Sequence, residues 1–317
     1  MGPKIKERPK FSKLGLVTPA TLEGRGVEPE MADLLAGFAN CGLSRSTHET
    51  YSVVINHLTR CQEDTGEDMS LPMDTTKILT FVGWMIRRDL KSRTMSTYIS
   101  GLRMYHLAMG YNEPGLREPI VKLILKGKEN WESVMRKISG GARRLAVTIT
   151  VLKIIKKQLL KETWSPEEKL MLWAICTLLW NGSLRVHEAL SRDVDKDEQT
   201  CLTWDDLKLK TERVEGKVLE VIQVTIKSPK VDRVGNGDTM AIFETGLFNC
   251  PVKAFKKWQM VSQMTKRNNL PVFRIKEDKC YTGKEFNQKL ARLTQIASVK
   301  MPGGKFTSHS FRAGRNA

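Results

Sequence analysis

Three short fragments carry side chains able to do chemistry. Leu184-Arg185-Val186-His187-Glu188 follows a turn signal at Asn181-Gly182, and Ile226-Lys227-Ser228-Pro229-Lys230-Val231-Asp232 precedes the turn-prone Gly235-Asn236-Gly237. His309-Ser310-Phe311-Arg312-Ala313-Gly314 comes just after Pro302-Gly303-Gly304. Arginine presents a planar fork of donors that grips oxyanions bidentately, whereas lysine is a point charge. A histidine three residues before an arginine shares its helix face, so His309 and Arg312 can reach one ligand. Singly, each fragment has a plainer account. An HxxR pair arises by chance in a chain this rich in arginine. Arg185 and Glu188 also fit an i,i+3 surface ion pair worth a few tenths of a kcal/mol, and Lys230 on a hairpin fits a solvated surface charge.

The elements that must position these fragments differ between the two halves. The first half reads as helix after helix. Ser44 or Ser46 can cap a segment through Tyr51, Val54, Ile55 and Leu58, and Asp74 caps a second through Ile78, Phe81, Val82 and Met85. Ser92 or Thr94 opens a third, ended by Gly110, and a fourth starts near Glu118. Arg136 to Ala146 is basic, contains Gly140-Gly141 and breaks the periodicity, as a hinge along a phosphate backbone or a plain surface loop would. In the second half, helices are expected at Thr150–Leu160, Pro166–Trp180, from Pro251 through Trp258, and at Lys284–Ser298. Strands are expected at Gln199–Trp204, Val218–Ile226 and Asp238–Phe243. The expected fold is mainly α with a small antiparallel β-sheet: a helical domain, a basic linker, then an α+β domain.

Composition narrows the partners. Fifty-two Lys and Arg against 35 Asp and Glu give a net charge of +17 over 317 residues. That field draws polyanions, and nucleic acid is the commonest one. The apolar run Leu170–Trp180 is too short to span a bilayer and reads as a buried helix, so no membrane partner is expected. Met1 to Lys13 is rich in Lys and Pro without an apolar core, unlike a secretory signal. Six scattered cysteines with no CxxC pair point to reduced thiols and an intracellular protein, nuclear if the source is eukaryotic. No metal site and no cofactor are expected.

In this order the three fragments resemble the tyrosine recombinase (phage integrase) family, Cre-like, with derivation from a mobile element as a further expectation. The resemblance rests on Arg185 and Glu188 after a Gly turn, Lys230 before a Gly-rich turn, Cys250-Pro251-Val252 opening a helix, and the late His309/Arg312. It implies a basic disordered tail over 1–28, a helical core-binding domain over 29–133, a basic linker over 134–146 and a recombinase catalytic domain over 147–317. It also implies metal-free phosphotyrosyl strand transfer, as in DNA integration and recombination. Arg185 and Arg312 would hold the non-bridging oxygens of a pentacoordinate phosphorus. His309 would donate to, or carry a proton for, the same phosphate, and Lys230 (or Lys227) would protonate the departing 5′ oxygen. Glu188 would orient Arg185 or His309.

The family's tyrosine nucleophile lies well downstream of HxxR, and this sequence ends at Ala317. The expectation is therefore a catalytic domain cut off before its nucleophile, since Tyr51, Tyr98, Tyr105, Tyr111 and Tyr281 all precede that place. The implied partner is double-stranded DNA, with a homo-oligomer forming on it. Candidate DNA contacts are Arg45, Lys91, Arg93 and Arg103 beside helix starts, and Arg143 and Arg144 in the linker. Two alternatives share these features: a domesticated DNA-binding protein without catalysis, and an enzyme like the type IB topoisomerases.

Overall fold

The computed structural model describes residues 17–42, 45–111, 118–138, 143–191, 201–227, 237–262, 270–276, 279–299 and 304–314. The chain divides into two compact units, 1–139 and 140–317. It is mainly α with a small antiparallel sheet.

Unit 1 is helical: α1 (Pro19–Glu23), α2 (Pro29–Cys41), α3 (Arg45–Thr65), α4 (Thr75–Arg87), α5 (Ser92–Ala108) and α6 (Pro119–Ile138). Its core joins Val54, Leu58 and Cys61 of α3 to Ile78, Phe81, Val82 and Met85 of α4, Met95, Ile99 and Leu102 of α5, and Val121 of α6. These positions recur at helical spacing, which puts one apolar face of each helix inward. Asp74 caps α4 by accepting from the Lys77 N–H at 2.8 Å. The cap of α5 is tertiary. The buried Glu132 carboxylate on α6 accepts from the Ser92 N–H at 2.8 Å and from its hydroxyl at 2.9 Å. Two features depart from expectation. The helix α1 forms within the stretch read as a tail, and α6 runs on to Ile138, through residues read as linker.

Unit 2 opens with β1 (Arg143–Arg144), α7 (Ile149–Lys161), α8 (Pro166–Asn181) and α9 (Val186–Ala189). A sheet of β2 (Leu207–Val214), β3 (Lys217–Ile226) and β4 (Asp238–Phe243) follows, antiparallel in the order β2-β3-β4. Then come α10 (Pro251–Val261), the short pair β5 (Arg274–Lys276) and β6 (Lys279–Cys280), α11 (Gly283–Leu293), α12 (Gln295–Val299), β7 (Gly304–Lys305) and α13 (His309–Gly314). Every residue of α8 from Met171 to Leu179 is buried, because that stretch is enclosed by its neighbours on all sides. No described helix is long and apolar enough to cross a membrane.

The strand expected at Gln199–Trp204 is not a strand where described. Trp204–Asp206 is a 3₁₀ turn, closed by the Asp206 carboxylate on the Thr203 N–H and hydroxyl, each at 2.7 Å. The strand begins at Leu207 and reaches Val214, returning into β3 through Glu215-Gly216, both at positive φ (47° and 78°). That left-handed pair matches the twist of the strands it joins. The helix expected at Lys284–Ser298 is interrupted at Thr294.

Candidate active site

Arg185 is placed by the end of α8. At Gly182 a Cβ would stand 2.7 Å from Ile242 Cδ1 and 2.9 Å from the Leu178 carbonyl oxygen, so only glycine lets the chain turn there. Leu184 is then buried and Arg185 stands at the N-cap of α9. Glu188, at the third helical position, holds that arginine twice. Its carboxylate accepts from the Arg185 backbone N–H at 2.7 Å and from Nη1 at 2.7 Å. The Glu188 side chain is 10% exposed and that of Arg185 27%. A charge-assisted bond at such burial fixes the guanidinium.

The first turn of α11 links this segment to α13. The His187 ring packs over Gly283, where a Cβ would lie 3.1 Å from Cε1, and the Gly283 N–H donates to the Ser191 carbonyl at 3.0 Å. Thr282 and Glu285 form a capping box that starts α11 at this point. One turn on, Asn287 Nδ2 donates to the Gly283 carbonyl at 2.8 Å while its Oδ1 accepts from the Ser308 N–H at 2.8 Å. The Phe286 and Phe311 rings meet with centroids 5.9 Å apart.

A second clamp on α13 comes from the chain before α7. The Val147 N–H donates to the Ser310 carbonyl at 2.8 Å, and Trp180 Nε1 donates to the Val147 carbonyl at 2.9 Å. Gly314 lies so close that a Cβ would be 1.9 Å from the Val147 carbonyl oxygen. With Ser310, Phe311 and Gly314 buried, His309 and Arg312 are left on the exposed face, and among the described residues Arg312 makes no ion pair.

The helix that Arg185 caps and that carries Glu188, and the helix that carries His309 and Arg312, both pack on the N-terminal turns of α11. The structure does not bring Lys227 to them as a free ammonium. Lys227 Nζ lies 2.9 Å from the buried Asp206 carboxylate and 3.0 Å from the Thr203 hydroxyl. Lys230 lies outside the described residues. Tyr281 is 1% exposed and its hydroxyl has no hydrogen-bond partner among the described residues. Burial, then the Glu168 and Glu285 charges, push the phenol pKa upward, so it stays protonated. The nearby Cys201 thiol is pushed up to about 12, chiefly by burial and then by Cys280. It is inert as a thiolate nucleophile at neutral pH.

The DNA-contact candidates lie apart from this cluster in the sequence. Lys91, Arg93 and Arg103 are exposed, with Lys91 3.9 Å from Asp89. Arg45 begins α3 and Arg143 begins β1, but both side chains lie outside the description; Arg144 is exposed. No group of three or more His, Cys, Asp or Glu placed to hold a metal occurs among the described residues. Sequence reasoning missed Val147, Trp180, Gly283, Asn287 and Gly314, which position the site. Only Thr282-Gly283-Lys284-Glu285 carried a readable signal, the spacing of a capping box.

No protein-family model matches the sequence, and a comparison with curated proteins finds no match. Solved structures do match. The XerH site-specific recombinase bound to palindromic difH substrate, a post-cleavage complex, superposes with a TM-score of 0.55 at 12% identity, over 98% of this chain and 78% of that one. The Tn1549 transposon integrase with transposon right end DNA gives 0.55 at 12% identity, over 86% and 80%. The same integrase with a circular intermediate DNA gives 0.52 at 12% identity, over 96% and 86%. This is a tyrosine-recombinase-like fold. The recombinase-like architecture accounts for both units, the helical one and the one carrying the small sheet.

Proposed function

We propose that the protein binds duplex DNA and that Arg185, His309 and Arg312 take one of its phosphodiesters, as in a site-specific recombinase or integrase. One observation carries this reading: α9, which Arg185 caps, and the His309/Arg312 helix both pack on the N-terminal turns of α11, with Arg312 exposed and Arg185 partly exposed. Two arginine forks and an imidazole suit a phosphate whose non-bridging oxygens gather charge in the transition state. Glu188 presets Arg185, so little reorganisation is needed when the anion arrives. Lys230 would protonate the departing 5′ oxygen, a reading supported by the pairing of Lys227 with Asp206. In such strand transfer a tyrosine oxygen bonds to phosphorus, the bond to the 5′ oxygen breaks, and that oxygen takes a proton. Unit 1, with Lys91, Arg93 and Arg103, and the linker Arg143 and Arg144 would supply further DNA contacts, Arg45 among them.

A non-catalytic DNA-binding role is the second reading. Tyr281 is buried and protonated, so it is not itself poised as a nucleophile. Fluorescence anisotropy with a duplex, over a range of salt, tests the shared part of both readings. Arg312→Ala is expected to lower affinity about tenfold and to flatten the salt dependence by about one phosphate. Unchanged binding by that variant would remove the pocket from the account. A covalent adduct between this chain and a nicked duplex, surviving denaturation, would decide for strand transfer against mere binding.

A further inference from the structure

The linker does more than join two units, because its first described residues form a ladder with the segment that leads into α13. Strand β1 pairs with β7 in parallel, with Arg143 opposite Gly304 and Arg144 opposite Lys305. The Leu145 N–H continues the ladder to the Lys305 carbonyl at 3.0 Å, and the Val147 N–H then reaches Ser310 within α13. Gly304 makes room for the Leu145 side chain, since a Cβ there would lie 2.2 Å from Leu145 Cδ1.

Partners across a ladder stand about 4.8 Å apart and present their side chains on one face. Arg144 and Lys305 are therefore neighbouring cations. Both are exposed, and among the described residues neither is paired with a carboxylate. Like charges directly opposite one another are unfavourable without an anion between them. The backbone that holds them is the same backbone that seats Arg312, so the two positions are rigidly related.

The geometry points to a second phosphate site: Arg144 and Lys305, clasped side by side by the parallel ladder, grip one backbone phosphodiester of duplex DNA outside the Arg185/Arg312 pocket. This rests on the DNA-binding reading above and adds Lys305 and the pairing to it. The linker then contacts DNA through a fixed two-cation clasp rather than through a loose run of charge, and its occupation holds α13 in register with the duplex.

The test is duplex binding by the full chain, followed by anisotropy at salt concentrations around about 150 mM, where surface charges further apart are screened. Arg144→Gln with Lys305→Gln is expected to lower affinity about tenfold and to flatten the slope of log K against log salt by about one. The exchange Arg144→Lys with Lys305→Arg keeps both charges and restores binding. Lys157→Gln with Lys161→Gln removes two exposed charges from α7 and is expected to leave the slope as in the wild type. If that control flattens the slope equally, the loss is one of general charge and the clasp is refuted. If the Gln pair keeps the wild-type slope while Arg312→Ala flattens it, the DNA reading stands and the clasp falls. If the wild type itself does not bind duplex, both fall together.

Discussion

Two short helices of unit 2 each present an arginine, and they hold it by opposite means. On α9 the side chain itself is tethered: Glu188 takes both the backbone N–H and one guanidinium nitrogen of Arg185. On α13 the side chain of Arg312 makes no ion pair among the described residues, and the helix beneath it is clamped instead, by Asn287, Val147 and the absence of a Cβ at Gly314. The contrast follows from length and place. A four-residue helix at the end of α8 has few backbone bonds with which to fix its first residue, so an adjacent carboxylate does it. The segment at α13 is held by Asn287 and Val147 through its backbone, and among the described residues the Arg312 side chain makes no ion pair that would compete with an anion.

That contrast can be broken by substitution. The largest effect is expected from Gly314→Ala, whose methyl group would collide with the Val147 carbonyl. A loss of about 3 kcal/mol, read as a fall in Tm of roughly 10 °C, follows from overpacking against backbone. An unchanged melt would mean that α13 is not seated on Val147. Next is Glu188→Ala, which strips two acceptors from a partly buried arginine and should cost about 2 kcal/mol in a denaturant melt. Stability equal to the wild type would show the tether to be idle. The smallest and sharpest comparison sets Arg185→Ala, expected to cost about 1–2 kcal/mol because the buried Glu188 keeps its bond to the backbone N–H and loses its counter-charge, against Arg312→Ala, expected to stay within about 0.5 kcal/mol. Equal costs for the two would mean that Arg185 and Arg312 are held alike.

Much of the fold was legible in the sequence. Helices α4 and α5, α7 and α8, and the strand β4 lie where periodicity, capping residues and turn signals placed them. Other elements were hidden for specific reasons. Strand β2 is exposed along most of its length, so Leu207-Lys208-Leu209-Lys210 followed by polar residues lacked a sustained buried face to read. The 3₁₀ turn before it depends on a carboxylate that reads equally well as a surface charge. Helix α6 outran its expected end because Gly127 and polar residues did not stop a helix supported by its packing.

By itself the sequence determined which groups are available: two arginines, a histidine, an acidic neighbour and a large positive surplus, in an order resembling one family. It also determined the local pairing of Arg185 with Glu188, because residues three apart at a helix start face each other whatever surrounds them. Tertiary structure decided which of these groups meet and which are committed elsewhere. The pairing of Lys227 with Asp206, the seating of α9 and α13 on the N-terminal turns of α11, the burial of Tyr281 and the placing of Lys305 beside Arg144 are all contacts between residues far apart in the chain. No local periodicity encodes them, since they depend on close packing between segments that only the assembled core brings together.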